Sequence, residues 1–402
     1  MGRKKIKSSW MDIADDLDAQ IDSAEKKLTG SVKYPGARLE WSDDIAKKEM
    51  DVEIEDLLND DYYLGSYNAW PSVKEEIADI WHKRCDFDVV FKRGDKVIKK
   101  DSVYALSFAH AKEKAIEKWQ KKANEADGIH VFRSNNIHTV CLELPKGTGK
   151  DFQMSLMIWL LTREFLIQPR SEFFAPYNLD ADTTIAIILL NRTESQAKDV
   201  TFKEILPRIR SPFFLDYFPP QINLEEIEET RRYPRELRFP RNVVIFPGSG
   251  SAASALGYCI AASCVDEANF MARSSTSKQS IFGSESYDAA AESYADLFQR
   301  MESRFGAIQN GQMTYAGLSI VISSSRTTND FTQVLGRRSQ KNKGIYYKRM
   351  PYWERKPLDL CGKVFQFDVT NQSILDPKKA QADYEWLQGQ ATADQFEVFE
   401  EA

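Results

Sequence analysis

The segment 183–190 (Thr-Thr-Ile-Ala-Ile-Ile-Leu-Leu) is uncharged and apolar almost throughout, with none of the alternation of a half-solvated strand. Such a run is expected of a central parallel strand covered on both faces. It constrains the whole fold, because the covers must come from helices in the flanking sequence. The spacing predicts further strands at 137–144, 243–246, 260–265 and 318–323. Helices are expected at 152–165 and at 194–206, the second ended by Pro207. Tyr294, Leu297, Phe298, Met301 and Phe305 fall on one helical face between the last two strands. Strands alternating with helices predict an α/β fold built on an open, mostly parallel sheet flanked by helices.

The 402 residues allow two or three units at roughly 100–200 residues per domain. Residues 1–60 are charged and weakly periodic, an arm or partly ordered helices without chemistry. A helical region is expected at 61–130. There Pro71 opens a helix with apolar residues at 73, 77, 80 and 81. A Lys-rich helix follows at 110–123 (Lys112, Lys114, Lys118, Lys121, Lys122), for which a solvated face is the expectation over a DNA contact. The core unit spans 131–335 and a small lid or linker 336–402.

Charge and cysteine usage narrow the function classes. Lys plus Arg number 54 against 60 Asp plus Glu, a net charge of −6. A uniformly cationic nucleic-acid binder is excluded, so contact with a polyanion must come from a local patch. The five cysteines, at 85, 141, 259, 264 and 361, form no CxxC pair, which argues against a disulfide framework and a zinc ribbon. His82 and Cys85 lack a second half-site. No apolar run approaches a membrane span, no apolar signal region opens the chain, and Ile6 stands where a myristoylation motif wants Ser or Thr. The expectation is a reduced, soluble, intracellular protein.

The chemistry concentrates at strand ends. Leu144-Pro145-Lys146-Gly147-Thr148-Gly149-Lys150-Asp151 lies between a predicted strand and a predicted helix. Glycines at such a turn let backbone N–H groups converge on a phosphate, and a Lys there reaches the terminal phosphates. Two positions depart from the common phosphate-loop pattern: Leu144 replaces the first Gly, and Asp151 replaces the Ser or Thr after the Lys. A second apolar strand, 258–265, ends in Asp266-Glu267. In an ATPase the first carboxylate holds Mg²⁺ and the second deprotonates the attacking water. This pair is expected on a strand neighbouring the phosphate loop. A third strand ends in Ser323-Ser324-Ser325-Arg326, whose hydroxyls can sense a terminal phosphate or be plain polar punctuation.

In this order and spacing, residues 60 to about 375 resemble the N-terminal ATPase of the large terminase subunits of tailed bacteriophages, the motors that pump DNA into procapsids. The likeness rests on Gly149-Lys150-Asp151-Phe152, on 183–198 with Asn191 and Gln196-Ala197, and on Val265-Asp266-Glu267-Ala268-Asn269-Phe270. It extends to Ser323-Ser324-Ser325 followed by Asn329-Asp330-Phe331, and to the segment from Asp60-Asp61-Tyr62-Tyr63 through Trp81. The resemblance implies a P-loop fold of the RecA-like kind that hydrolyses ATP with Mg²⁺ and translocates double-stranded DNA. Lys150 would bind the β- and γ-phosphates, Gly147, Thr148 and Gly149 would supply backbone donors, and Lys146 would stand where many terminases carry an Arg. Asp266 would hold the metal, Glu267 would be the catalytic carboxylate, and Ser323, Ser324 and Ser325 would couple the two.

Asp151 is expected as a further metal ligand, because a carboxylate beside a triphosphate is tolerable only with Mg²⁺ between them; a helix cap is the plainer alternative. Arg300, Arg304, Arg326, Arg337 and Arg338 are candidates for a cation acting in a neighbouring subunit. The run 336–349 carries six basic residues and no acidic one, and Arg337, Arg338, Lys341 and Lys343 are candidate DNA contacts; a solvated face or a subunit contact is the alternative. The loop 248–257 is either a flexible cover or a connector. Tyr62, Tyr67 and Trp70 are candidate base-stacking residues, with core packing the simpler role.

The partners implied are portal protein, small terminase subunit and a homo-oligomeric ring, a pentamer when docked, in the host cytoplasm with no membrane. The residues after Arg349, including Asp368, are too few for the family's RNase H-type nuclease, so none is expected from this chain. A helicase-like DNA-dependent ATPase and a non-catalytic capsid-docking protein with a degenerate nucleotide site remain as alternatives.

Overall fold

A computed structural model of the chain describes residues 32–65, 69–180, 182–193, 196–197, 203–221, 236–249, 258–271, 273–274, 287–327, 329–356, 367–368 and 373–374. Near the N-terminus, Ser42 caps α1 (Asp43–Met50) by accepting from the Ile45 N–H at 3.4 Å. Helix α2 (Pro71–Arg84) starts with proline in its first turn and buries Val73, Ile77, Ile80 and Trp81.

The region expected to be helical then turns into a sheet. Strands β1 (Asp86–Arg93), β2 (Lys96–Tyr104) and β3 (Gly128–Arg133) pair antiparallel in the order β2-β1-β3. Phe87, Val89 and Phe91 of β1 are fully buried at every second position, the period of a strand with one covered face. Helix α3 (Phe108–Lys118) covers that face with Ala111 and Ala115. The Lys-rich stretch is not one helix. It breaks at Trp119, whose indole N–H donates to Asp101 at 2.9 Å, and resumes over Gln120–Glu125. Lys114, Lys118 and Lys122 sit in ion pairs with Asp51, Asp101 and Glu125, as suits a solvated face.

The rest is the expected α/β body. In chain order it holds β4 (Thr139–Glu143), α4 (Lys150–Ile167), β5 (Ile185–Asn191), β6 (Leu237–Phe239), β7 (Val243–Ser249) and β8 (Ile260–Asp266). It continues with α5 (Ala289–Phe305), the hairpin β9 (Gly306–Gln309) and β10 (Gln312–Tyr315), β11 (Leu318–Ser323), α6 (Phe331–Ser339) and β12 (Ile345–Arg349). Seven strands form one sheet in the order β12-β4-β11-β8-β5-β7-β6, parallel except where β6 meets β7. Every residue of β4, β5, β8 and β11 is buried. On β5, Ile185, Ile187 and Leu189 face one layer, which includes α4, while Ala186, Ile188 and Leu190 face the other, with α5 and α6. Helix α4 is buried from Gln153 to Ile167, so it is covered all round instead of on one side.

Two expectations need correction here. The Asp-Glu strand β8 is not the neighbour of the phosphate-loop strand β4, because β11 lies hydrogen-bonded between them. Pro207 does not end its helix but lies inside Lys203–Ile209. Of the loop 248–257, residues 250–257 lie outside the described residues, as do most of 194–202, Tyr67 and the chain after residue 356 apart from two short strands. Phe367–Asp368 pairs with Ser373–Ile374, and of the Asp368 side chain nothing is described.

Candidate functional site

Parallel strands deliver their carboxyl ends to one rim of the sheet, and the site is built there. After β4 the backbone alternates hand. Gly147 and Gly149 have φ of 72° and 74°, left-handed values that a side chain would strain. Thr148 between them is buried, and its hydroxyl donates to the Pro145 carbonyl at 2.6 Å. This alternation turns successive N–H groups toward one concavity. Gly149 precedes α4 without offering a side-chain cap, which leaves the first-turn N–H groups for an anion. The missing first glycine has a structural reason. Leu144 is 1% exposed in the core, and its N–H donates to Ser323 O at 2.9 Å, prolonging the strand pairing.

The carboxylates converge on the same place. Lys150 Nζ lies 2.7 Å from Glu267 Oε1 and 3.3 Å from Asp151 Oδ1. Burial works against the Lys150 charge, but Glu267, Asp151 and Asp266 outweigh it and hold its pKa above the usual lysine value. Asp266 is 1% exposed; its Oδ2 accepts from Asn191 Nδ2 at 2.9 Å and its Oδ1 from the Glu267 N–H at 2.8 Å. Burial first, and then the charge of Asp151, push its pKa up to about 7, against the opposing pull of Lys150. Glu267 itself sits at φ 51°, a left-handed conformation in a residue with a Cβ.

The three serines bind these pieces together. Ser323 Oγ accepts from the Asn269 N–H at 3.1 Å, Ser324 O accepts from Asn269 Nδ2 at 2.9 Å, and Ser325 Oγ donates to Glu143 Oε1 at 2.7 Å. Lys146 Nζ lies 5.1 Å from the centre of the Phe270 ring and Arg326 Cζ 5.8 Å from it, so one aromatic ring at the rim serves both cations.

A family profile described as the N-terminal P-loop domain of the uncharacterized protein MJ0330 matches residues 68–386, most of the chain and all of this site. The chain belongs to this P-loop domain family. No curated protein matches it in sequence. Its fold is similar to solved ATPase domains and large terminases of phages. With the ATPase domain of the large terminase of Thermus phage P74-26 it shares 13% identity at a TM-score of 0.32, over 55% of this chain and 79% of that one. The large terminase of bacteriophage HK97 is 14% identical at a TM-score of 0.32, over 56% of this chain and 38% of that one. The ADP complex of a large terminase from a thermophilic bacteriophage is 9% identical at a TM-score of 0.33, over 57% of this chain and 44% of that one.

In this P-loop domain, Lys146, Gly147, Thr148, Gly149, Lys150, Asp151, Asp266 and Glu267 come together, with the three serines beside them. The basic run does not join them. Helix α6 leads away from the site, and β12 starts opposite Thr139, the first residue of β4. Arg337, Arg338, Lys341 and Lys343 are therefore exposed at the opposite rim, while Arg349 returns to the site and lies 3.2 Å from Glu143 Oε1. Arg300 is paired with Asp296 at 2.9 Å and Arg304 is exposed, both on α5. Tyr62 and Trp70 are half-buried, and Tyr62 packs edge-on to Tyr63 and Phe213. His82 pairs with Glu55 at 2.7 Å instead of turning to the buried Cys85.

Glu143 and Thr332 had no role assigned from sequence. A lone carboxylate among Val140, Cys141, Leu142 and Leu144 was the available signal for the first; nothing marked the second.

Among the described residues no three His, Cys, Asp or Glu side chains are grouped so as to hold a metal ion by themselves. The donor set still fits a Mg²⁺ ion completed by phosphate and water. Asp151, Asp266 and Glu267 crowd around a single lysine, and Glu267 Oε2 is buried without a hydrogen-bond partner.

Proposed function

We propose that the chain is a Mg²⁺-dependent ATP-hydrolysing motor of the large-terminase kind, which moves double-stranded DNA. The observation that carries this reading is the 2.7 Å contact between Lys150 and Glu267. It joins the phosphate loop and the Asp-Glu strand end in one site, although the two lie far apart in the chain and β11 runs between their strands.

The N–H groups of 147–150 take the phosphates, and Lys150 neutralises the β- and γ-oxygens. Lys146 meets the γ-phosphate as a point charge, without the fork an arginine would bring. Asp266, oriented by Asn191, and Asp151 would hold the metal, which would supply positive charge to offset that of the phosphate oxygens. Glu267 orients the attacking water and accepts its proton. A triphosphate competes with Glu267 for Lys150, so binding frees the carboxylate that hydrolysis needs. Ser323, Ser324 and Ser325, with contacts to both the phosphate-loop strand and the Asp-Glu turn, pass the loss of the γ-phosphate onward. Arg337, Arg338, Lys341 and Lys343 are solvated charges suited to a DNA backbone. Portal protein, small terminase subunit, a ring of copies and the host cytoplasm follow from the sequence resemblance.

The test is ATP hydrolysis with and without double-stranded DNA. The expected result is Mg²⁺-dependent turnover that DNA stimulates and salt suppresses. Hydrolysis unaffected by DNA contradicts the motor, and no hydrolysis at all favours a docking protein.

A further inference from the structure

The first turn of α6 holds a directed chain of hydrogen bonds. Thr332 is wholly buried, and its Oγ1 donates to Glu143 Oε2 at 2.8 Å. A hydroxyl has one hydrogen, so the same oxygen accepts from Asn269 Nδ2 at 2.9 Å. The Thr332 N–H in turn donates to Asn269 Oδ1 at 3.2 Å, and the other Nδ2 hydrogen goes to Ser324 O at 2.9 Å. Each polar atom of the Asn269 side chain is thereby used, which determines the orientation of its amide.

What the chain holds is the turn after Glu267. A residue with a Cβ stays at φ 51° only where its surroundings over-determine it. Here Ala268–Phe270 form a single 3-10 turn closed by the Phe270 N–H on Glu267 O at 2.9 Å, and Asn269 is its middle residue. At the other end, Glu143 immediately precedes Leu144, where the phosphate loop begins. Its anchor is shared: Tyr347 OH donates to Oε2 at 3.2 Å, and Ser325 Oγ donates to Oε1 at 2.7 Å.

We propose that Asn269 and Thr332 are positioning residues, which set the Glu267 carboxylate relative to the phosphate loop through the chain Asn269–Thr332–Glu143. This rests on Glu267 being the hydrolytic base. None of the three touches the loop's N–H groups or Lys150, so breaking the chain displaces Glu267 and leaves nucleotide binding in place.

The experiment is steady-state ATP hydrolysis by Thr332→Val and Thr332→Ser beside wild type and Glu267→Gln. In Thr332→Val, which keeps the shape and loses the hydroxyl, kcat falls ~10–100-fold while KM stays within ~3-fold. Thr332→Ser restores the donor and brings kcat back to within ~3-fold of wild type. Wild-type kcat in Thr332→Val overturns the proposal. So does an equal loss in Thr332→Ser, which would make the role one of packing, or a loss carried by KM. Should Thr332→Val not fold, Asn269→Asp is read instead; it keeps the shape but turns an acceptor toward Thr332, and wild-type kcat there overturns the proposal. Full activity in Glu267→Gln overturns the base assignment and the proposal with it, whereas the Thr332 outcomes strike the proposal alone.

Discussion

The two rims of the central sheet handle charge in opposite ways. At the carboxyl rim, Glu143, Asp266, Asn269 and Thr332 are between 0% and 2% exposed, and each has fixed hydrogen-bond partners. At the other rim, Arg337, Arg338, Lys341 and Lys343 stand in solvent at the end of α6. Removing one partner of a buried charge costs about 3–5 kcal/mol, whereas an exposed ion pair contributes about 0–1 kcal/mol. The first rim is therefore built for geometry and the second for screened, tolerant attraction. Helix α6 runs from one to the other, with Thr332 at its start and the two arginines at its end.

The contrast can be broken by substitution. Lys150→Ala at the buried rim is expected to lower the hydrolysis rate about 10³-fold, measured by phosphate release, because it removes the charge that faces the phosphates. Asp151→Ser should raise the Mg²⁺ concentration for half-maximal rate about 10-fold; an unchanged Mg²⁺ dependence would make Asp151 a mere helix cap. The opposite rim has its own buried group, which sharpens the comparison. His138 packs at a tilt against Phe298 and edge-on to Tyr315, and burial lowers its pKa to about 4. The unfolded chain takes up this proton first, near the ordinary histidine pKa of about 6.5, so stability should fall as pH drops from there toward 4. Denaturant midpoints across that window, compared with His138→Phe, read the loss directly. The smallest effect is expected for Arg337→Ala with Arg338→Ala: folding stability within about 0.5 kcal/mol of wild type, and DNA-free hydrolysis unaltered.

Much of this was legible beforehand, for a physical reason. Ile185–Asn191 and Leu318–Ser323 announce themselves because a strand buried on both faces is dominated by apolar residues and carries no charge. Gly147, Gly149 and Lys150 were readable because a phosphate cradle needs those residue types in that order. Strand order was not, since nothing in 260–266 says that 318–323 will insert beside it. The three-stranded sheet at 86–133 also escaped, because Val90 and the lysine stems dilute the alternation of Phe87, Val89 and Phe91. Thr332 and Glu143 take their meaning only from contacts with distant positions, their own hydrogen bond spanning 189. No local pattern encodes such a partner.

The claim that phosphate loop and Asp-Glu turn form one working site rests on the Lys150–Glu267 contact. Its most direct test measures ATP binding and hydrolysis together in wild type and Glu267→Gln, with Mg²⁺ present. The predicted result is turnover in wild type, loss of turnover in the variant, and equal or tighter ATP binding, because Lys150 no longer has Glu267 competing for its charge. Unchanged turnover in the variant, or ATP binding lost along with it, would contradict that claim.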